Sequence, residues 1–356
     1  MKNYIVTLAL STATVLVSCS NNSAEETDPS AGLYAQVLTD SSVDVIAETY
    51  KSMNDNAAIL ATAVANLTIG DEVELTAVKN AWIATRAPWE KSEGFLYGPV
   101  DTEGIDPAID SWPVNVNDIN NILNSGNAIT SNLLENNNEA RGFHTIEYFV
   151  WGIAGNKTAD ELTAREIEFL VAATQNLKSK TQQLYDGWSA SQGNFAMNFI
   201  TAGQAGNLFY TSQKTALLEL VDGIITISDE VANGKIETPL NGNAGSAMPE
   251  AEESRFSNNS KLDFADNIRS IQNIYLGDFN GGDGKGLTDI VASKNPTLDA
   301  EIKSKISEAI SAIENIPGTF TTAISVNRPA VQNAQNKVSA LQLLLESGLK
   351  PLISNL

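Results

Sequence analysis

The chain has 356 residues, with 43 Asp and Glu against 22 Lys and Arg, a formal net charge of −21, one Cys and one His. One Cys excludes an internal disulfide framework, a CxxC redox centre and a Cys-rich zinc site, and one His excludes the two-histidine HExxH motif. The acid excess, with no Lys/Arg run, repels a phosphate backbone and speaks against a nucleic-acid partner, while 42% hydrophobic residues is too apolar for a disordered chain.

In chain order, Lys2 precedes an apolar stretch, Ile5 to Val17, of 13 residues. That is short of the ~20 a bilayer span needs and suits the apolar core of a signal peptide. It ends Leu16-Val17-Ser18-Cys19, which resembles the lipobox of bacterial lipoproteins. The resemblance implies that residues 1–18 are removed and that Cys19, the sole Cys, carries the lipid. No later segment is apolar and long enough to cross a membrane, so membrane contact is expected through this anchor only. Residues 19–32, polar and acidic, read as a flexible tether. The expected location is the bacterial cell envelope, on the periplasmic face or the outer surface of the outer membrane.

Beyond the tether the periodicity is helical. Trp82, Arg86, Trp89 and Glu93 fall within about 60° of one another on a helical wheel, although Pro88 is expected to kink or interrupt that helix. Asp106 to Pro113 reads as a proline-bounded loop. Thr158 with Glu161 forms a capping box, and Ile167, Leu170, Val171, Thr174, Leu177 and Leu184 follow on one face. The glycine-dotted stretch 187–207 could join two halves. Leu217, Leu220, Val221, Ile224 and Val231 make the next stripe, with Asn233-Gly234 as its expected stop. Thr238 to Glu250 reads as a loop, and so does the glycine-rich stretch 277–286, which misses the EF-hand pattern. Ile302, Ile306, Ile310 and Ile313 form a further stripe, and Val331, Ala334, Val338, Leu341 and Leu345 another behind Pro329. The expected fold class is all-α, two helical bundles packed together, residues 33–195 and 196–356.

The only histidine lies in Gly142-Phe-His144-Thr-Ile-Glu147. At i and i+3 on a helix, an imidazole and a carboxylate can meet one point, as half of a metal site or as a His held by a carboxylate. The face mixing Arg86 and Glu93 with two Trp residues is either an ion pair under an aromatic cover or a lined pocket, because burying unpaired charge is unfavourable.

These segments resemble the imelysin-like proteins, whose mark is GxHxxE, here Gly142, His144 and Glu147. Trp82, Arg86, Trp89, Ser92 and Glu93 are similar to that family's first block, Ile109-Asp110-Ser111-Trp112-Pro113 to the next, Glu253 to Ser257 to a later one, and Gly286 to Asp289 to a further short one. The resemblance covers the chain from about residue 35 onward. It implies two helical bundles with the motif residues meeting near their interface: His144, Glu147 and Glu93 as metal donors, and Arg86, Trp89, Ser92, Asp110, Gly142, Glu253, Arg255 and Ser257 around them. The expected function is binding of iron, ahead of zinc, or of a metal-containing small ligand, in an iron-uptake-associated role. Two alternatives stand beside it: a metal-dependent peptidase of the imelysin type, for which a single His is a poor zinc hydrolase donor set, and a surface binder of a glycan or peptide.

Overall fold

The computed structural model describes residues 30–356, so the signal segment, Cys19 and most of the tether lie outside the described residues. Among the described residues there is no strand, only an isolated bridge between Asn243 and Ser246, and no helix is long and apolar enough to cross a membrane. The first helix, Ala31–Asp40, already begins inside the stretch read as tether.

The helices group around two packed layers. Glu48–Asn66 lies against Glu72–Glu90 and Ala164–Trp188, and Gly142–Trp151 packs on the latter two. Further along, Ser260–Leu276 packs against Gln213–Glu230 and Pro296–Glu314, and Arg328–Leu344 closes on Gln213–Glu230 and Pro296–Glu314. The groups meet where Glu72–Glu90 contacts Ser260–Leu276, and the first helix packs on elements of the second group. The apolar stripes explain this packing. Leu217, Leu220, Val221, Ile224, Val231, Ile302, Ile306, Ile313, Val331, Ala334, Val338, Leu341 and Leu345 are all buried, each stripe giving one helix an apolar face that only a neighbouring helix can cover.

Several local expectations are corrected. Glu72–Glu90 runs unbroken through Pro88. The ring removes one backbone donor near the helix end, and burial of Trp82 and Trp89 on either side holds the turn. Thr158 and Glu161 do form a capping box, but on the short 3₁₀ turn Ala159–Glu161; the long helix Ala164–Trp188 has its own box from Thr163 and Glu166. Val171 faces solvent, while Phe169 and Ala173 are buried in its place. Asn233-Gly234 is no stop: the helix widens into a π-helical stretch, Val231–Ile236, and continues as Glu237–Asn241, so the loop expected from 238 starts only after Asn241. Gly234 is absent from the residues with left-handed backbone. The wide turn carries Lys235 inward, where two carboxylates meet it.

Candidate functional site

Arg86 is the centre of the site. Its position on Glu72–Glu90 aims it at the contact with Ser260–Leu276, and its side chain is fully buried. It pairs with Glu90 one turn on and with Asp110, and its Nε lies 3.4 Å from Asp263 Oδ2. Its planar fork serves three carboxylates at once, which a lysine ammonium cannot do with the same geometry. Phe143 lies under the guanidinium, 5.1 Å to the ring centroid.

Asp110 follows the short helix Asp106–Ile109. It accepts from Trp89 Nε1 at 2.6 Å, and its Oδ1 lies 3.2 Å from His144 Nε2. On the other side of the ring, His144 Nδ1 lies 3.1 Å from Glu147 Oε2. The second oxygen of Glu147 accepts from the backbone N–H and the hydroxyl of Ser257, both at 2.7 Å. One continuous chain of polar contacts therefore runs from Arg86 through Asp110, His144 and Glu147 to Ser257. It joins four segments that are distant in sequence.

Gly142 makes this junction possible. It opens the helix Gly142–Trp151 in the left-handed region, φ 78°, and a Cβ there would sit 2.3 Å from the Ile109 carbonyl oxygen. The Asp110 loop can thus lie directly on the helix that carries His144. Gly142→Ala is expected to destabilise the fold by about 1–3 kcal/mol or more, since strained backbone adds to a contact with immobile backbone. A denaturant melt superimposable on that of the unaltered protein would contradict this role.

A second group adjoins the first. Lys235 Nζ lies 3.2 Å from Glu93 Oε2 and 2.9 Å from Glu253 Oε2. Asn267 Nδ2 donates to Glu90 Oε2 at 2.6 Å, and Asn259 Nδ2 to Asp263 Oδ1 at 2.6 Å. One oxygen each from Glu90, Glu93 and Asp110 lie within 4.8 Å of one another, the single group of this kind among the described residues. Trp112 covers His144 edge-on at 4.8 Å and contacts Phe256 at 5.6 Å. In the Lys235 group the side chain of Glu253 is 24% exposed.

Burial and pairing divide the ionisable groups. Burial would raise Asp110, but Arg86 and His144 hold it well below the usual carboxylate range. Burial pushes Glu90 up to about 8 against the pull of Arg86, and drives Glu93 up with Lys235 only partly opposing. Burial would lower His144, but the Asp110 and Glu147 carboxylates outweigh it and raise it to about 9. Lys235 is raised in spite of burial, because Glu253 and Glu93 face it. The site thus favours Asp110 as an anion and His144 as an imidazolium, while burial shifts Glu90 and Glu93 towards their acid forms against the pull of Arg86 and Lys235.

The residues expected from sequence are distributed as follows. Arg86, Trp89, Asp110, His144, Glu147 and Ser257 share the polar chain; Glu93 and Glu253 share Lys235; Ser92 donates to the Trp89 carbonyl at 2.6 Å. Arg255 stands apart, its guanidinium 5.4 Å over Phe256 and donating to the Pro249 carbonyl. His144 and Glu147, expected as metal donors with Glu93, contact each other, and both ring nitrogens of His144 face carboxylates, Asp110 and Glu147. Glu90, Lys235, Asp263 and Asn267 were not identified from sequence. Only Glu90 carried a signal, its i+4 spacing from Arg86.

The sequence pattern of the family described as Imelysin matches residues 46–347. The chain is 28% identical over 284 residues to the iron-regulated protein A of Synechococcus elongatus, covering 78% of this chain and 75% of that protein. Among solved structures, an iron-regulated protein A precursor from Parabacteroides distasonis superposes with a TM-score of 0.79 at 27% identity, over 92% of this chain and 97% of the other. An imelysin-like protein from Psychrobacter arcticum superposes with a TM-score of 0.74 at 17% identity, over 92% and 97%, a likeness of fold.

Proposed function

This chain belongs to the imelysin family, and on that premise we propose that it is a lipid-anchored protein of the bacterial cell envelope that binds a hard cation, iron foremost, at Glu90, Glu93 and Asp110. The observation that carries the reading is the convergence of three largely buried carboxylates, one oxygen of each within 4.8 Å of the others. Oxygens on opposite sides of a calcium ion at about 2.3–2.6 Å lie about 4.6–5.2 Å apart, and around a smaller hard cation at about 2.0–2.1 Å they lie about 4.0–4.2 Å apart, so side-chain adjustments would draw the three carboxylates together onto one ion. A donor set of oxygens alone favours hard cations over zinc. Relatives named for regulation by iron support iron within that class. Burial shifts Glu90 and Glu93 towards their acid forms, and Arg86 and Lys235 face the same carboxylates, so an entering cation displaces protons and loosens these pairs. His144 then serves Asp110 from behind, fixing the carboxylate's orientation. That role leaves it unavailable as a zinc ligand or general base, which argues against the peptidase reading.

Metal analysis of protein purified without chelators tests the site. Bound iron is expected in the unaltered chain and lost in Glu93→Gln with helical content unchanged; His144→Gln is expected to weaken binding about 10–100-fold, as for other residues that orient a ligand. Failure of the unaltered protein to retain or take up iron would overturn the proposal. For the anchor, Cys19→Ser is expected to move the protein from the membrane pellet into the soluble fraction, and a variant that still pellets would refute lipid attachment.

A further inference from the structure

Residues 187–213 contain no Asp, Glu, Lys or Arg, in a chain of which 18% of residues are charged. This neutral segment ends in a tip at which Leu208 is 94% exposed and Phe209 52%, with Met197 at 38%. Exposure of single apolar residues is ordinary; this tip differs because it is built. The Asn207 side chain accepts from the backbone N–H groups of Phe209 and Tyr210, both at 2.9 Å, and donates to the Asn198 carbonyl at 2.7 Å and to Thr201 Oγ1 at 3.0 Å. The Phe209 ring leans on Phe195 at 5.0 Å and on Tyr210 at 4.9 Å. The loop is therefore tied down while its apolar side chains are held outward, and two of its backbone donors are already satisfied without water.

We propose that the Leu208–Phe209 tip is a membrane-contact element that enters the headgroup region of the bilayer to which the chain is anchored. The occupant is a lipid surface for two reasons. A protein of net charge −21 is repelled by anionic headgroups over most of its surface, and the tip around Met197, Leu208 and Phe209 brings no charge of its own to the bilayer. In addition, the helix Ala31–Asp40, which follows the tether, packs on the helix Ala196–Ile200 of this same segment. Ala31 is 12 residues beyond Cys19, a reach of about 40 Å at most when fully extended. An exposed aromatic beside aliphatic side chains suits the interfacial zone, where one part of a ring can be dry and the rest wet. The inference rests on lipid attachment at Cys19.

The experiment places a polarity-sensitive fluorophore on Leu208→Cys in the full lipidated protein, reconstituted in phosphatidylcholine vesicles. Substitution at so exposed a position leaves folding intact. Val73→Cys serves as the comparison, since Val73 is 80% exposed but flanked by Asp71, Glu72 and Glu74. A blue shift at position 208, with emission lost to brominated acyl chains, and neither change at position 73, is the expected result. Water-like emission at position 208, or an equal response at both, would overturn the proposal. So would a shift that grows with protein density on the vesicle, because a second copy would then cover the tip. The anchor is read separately: one labelled thiol per chain means Cys19 is blocked, and two mean that the attachment itself has failed.

Discussion

Arg86→Leu is expected to lower the free energy of unfolding by about 3–5 kcal/mol, the range for breaking a buried charge pair from one side. The guanidinium is fully buried and faces Glu90, Asp110 and Asp263, all largely buried. Its removal leaves carboxylates that can recover only by taking up protons or drawing in water. Asp110 keeps Trp89 and His144 as partners, and Asp263 keeps Asn259, so the loss should stay within that range. Against a typical total of about 5–15 kcal/mol it is still a large fraction. A urea melt gives the value, with the midpoint shifted and the slope little changed. Arg86→Lys is expected to recover part of the loss, since one ammonium cannot satisfy three separated acceptors. The double variant Arg86→Leu, Asp263→Leu should be less destabilised than the sum of its parts. A loss below about 1 kcal/mol for Arg86→Leu, the scale of an exposed ion pair, would show that the centre of the site does not depend on this charge.

The second large effect is the pH dependence set by His144. Its folded pKa is raised from 6.5 to about 9, because the Asp110 and Glu147 carboxylates overcome the opposing effect of burial. A raised basic group stabilises the fold fully below its unfolded pKa, and that contribution is lost as pH rises through the folded value. The window is therefore about pH 6.5 to 9, and the size is of order 3 kcal/mol at about 1.4 kcal/mol per unit. Glu90, raised by burial to about 8, loses stability in the same direction over a lower window, from its unfolded pKa near 4.5. The comparison with His144→Gln isolates the imidazole: the unaltered protein should lose more stability than the variant between pH 6.5 and 9.5. Because the chain has a single His, its imidazole nitrogen NMR signals are unambiguous. In the metal-free protein they should report a doubly protonated ring at pH 7.5. Titration at or below 6.5 would show that the two carboxylates do not hold the proton.

Both effects belong to the arrangement of charges, which local sequence conveys only in part. The helices were legible because an apolar stripe is a local property. Residues three and four apart share a face whatever the rest of the chain does, so Leu217 to Ile224 and Val331 to Leu345 announced buried faces. Even there, tertiary packing overruled two punctuation signals. Pro88 was carried inside a helix by the burial of its neighbours, and Asn233-Gly234 was drawn into a wide turn that delivers Lys235 to Glu93 and Glu253.

At the site, sequence spacing determined that His144 and Glu147 share a helical face, and the mixed polar and aromatic face of Arg86 marked a buried or lined position. Whether the imidazole ligates a cation or is held between carboxylates could not follow from spacing, because both uses need the same two residues three apart. Asp110, 34 residues before His144, supplies a second carboxylate 3.2 Å from Nε2, a partner that only the tertiary structure reveals. Asp263 and Asn267 stand 177 residues from Arg86 and Glu90 respectively, and no periodicity relates them. Their convergence is the consequence of two helices packing together. Ion pairing and ligation act over a few ångströms of space, a distance that the contact between Glu72–Glu90 and Ser260–Leu276 sets and the number of intervening residues does not.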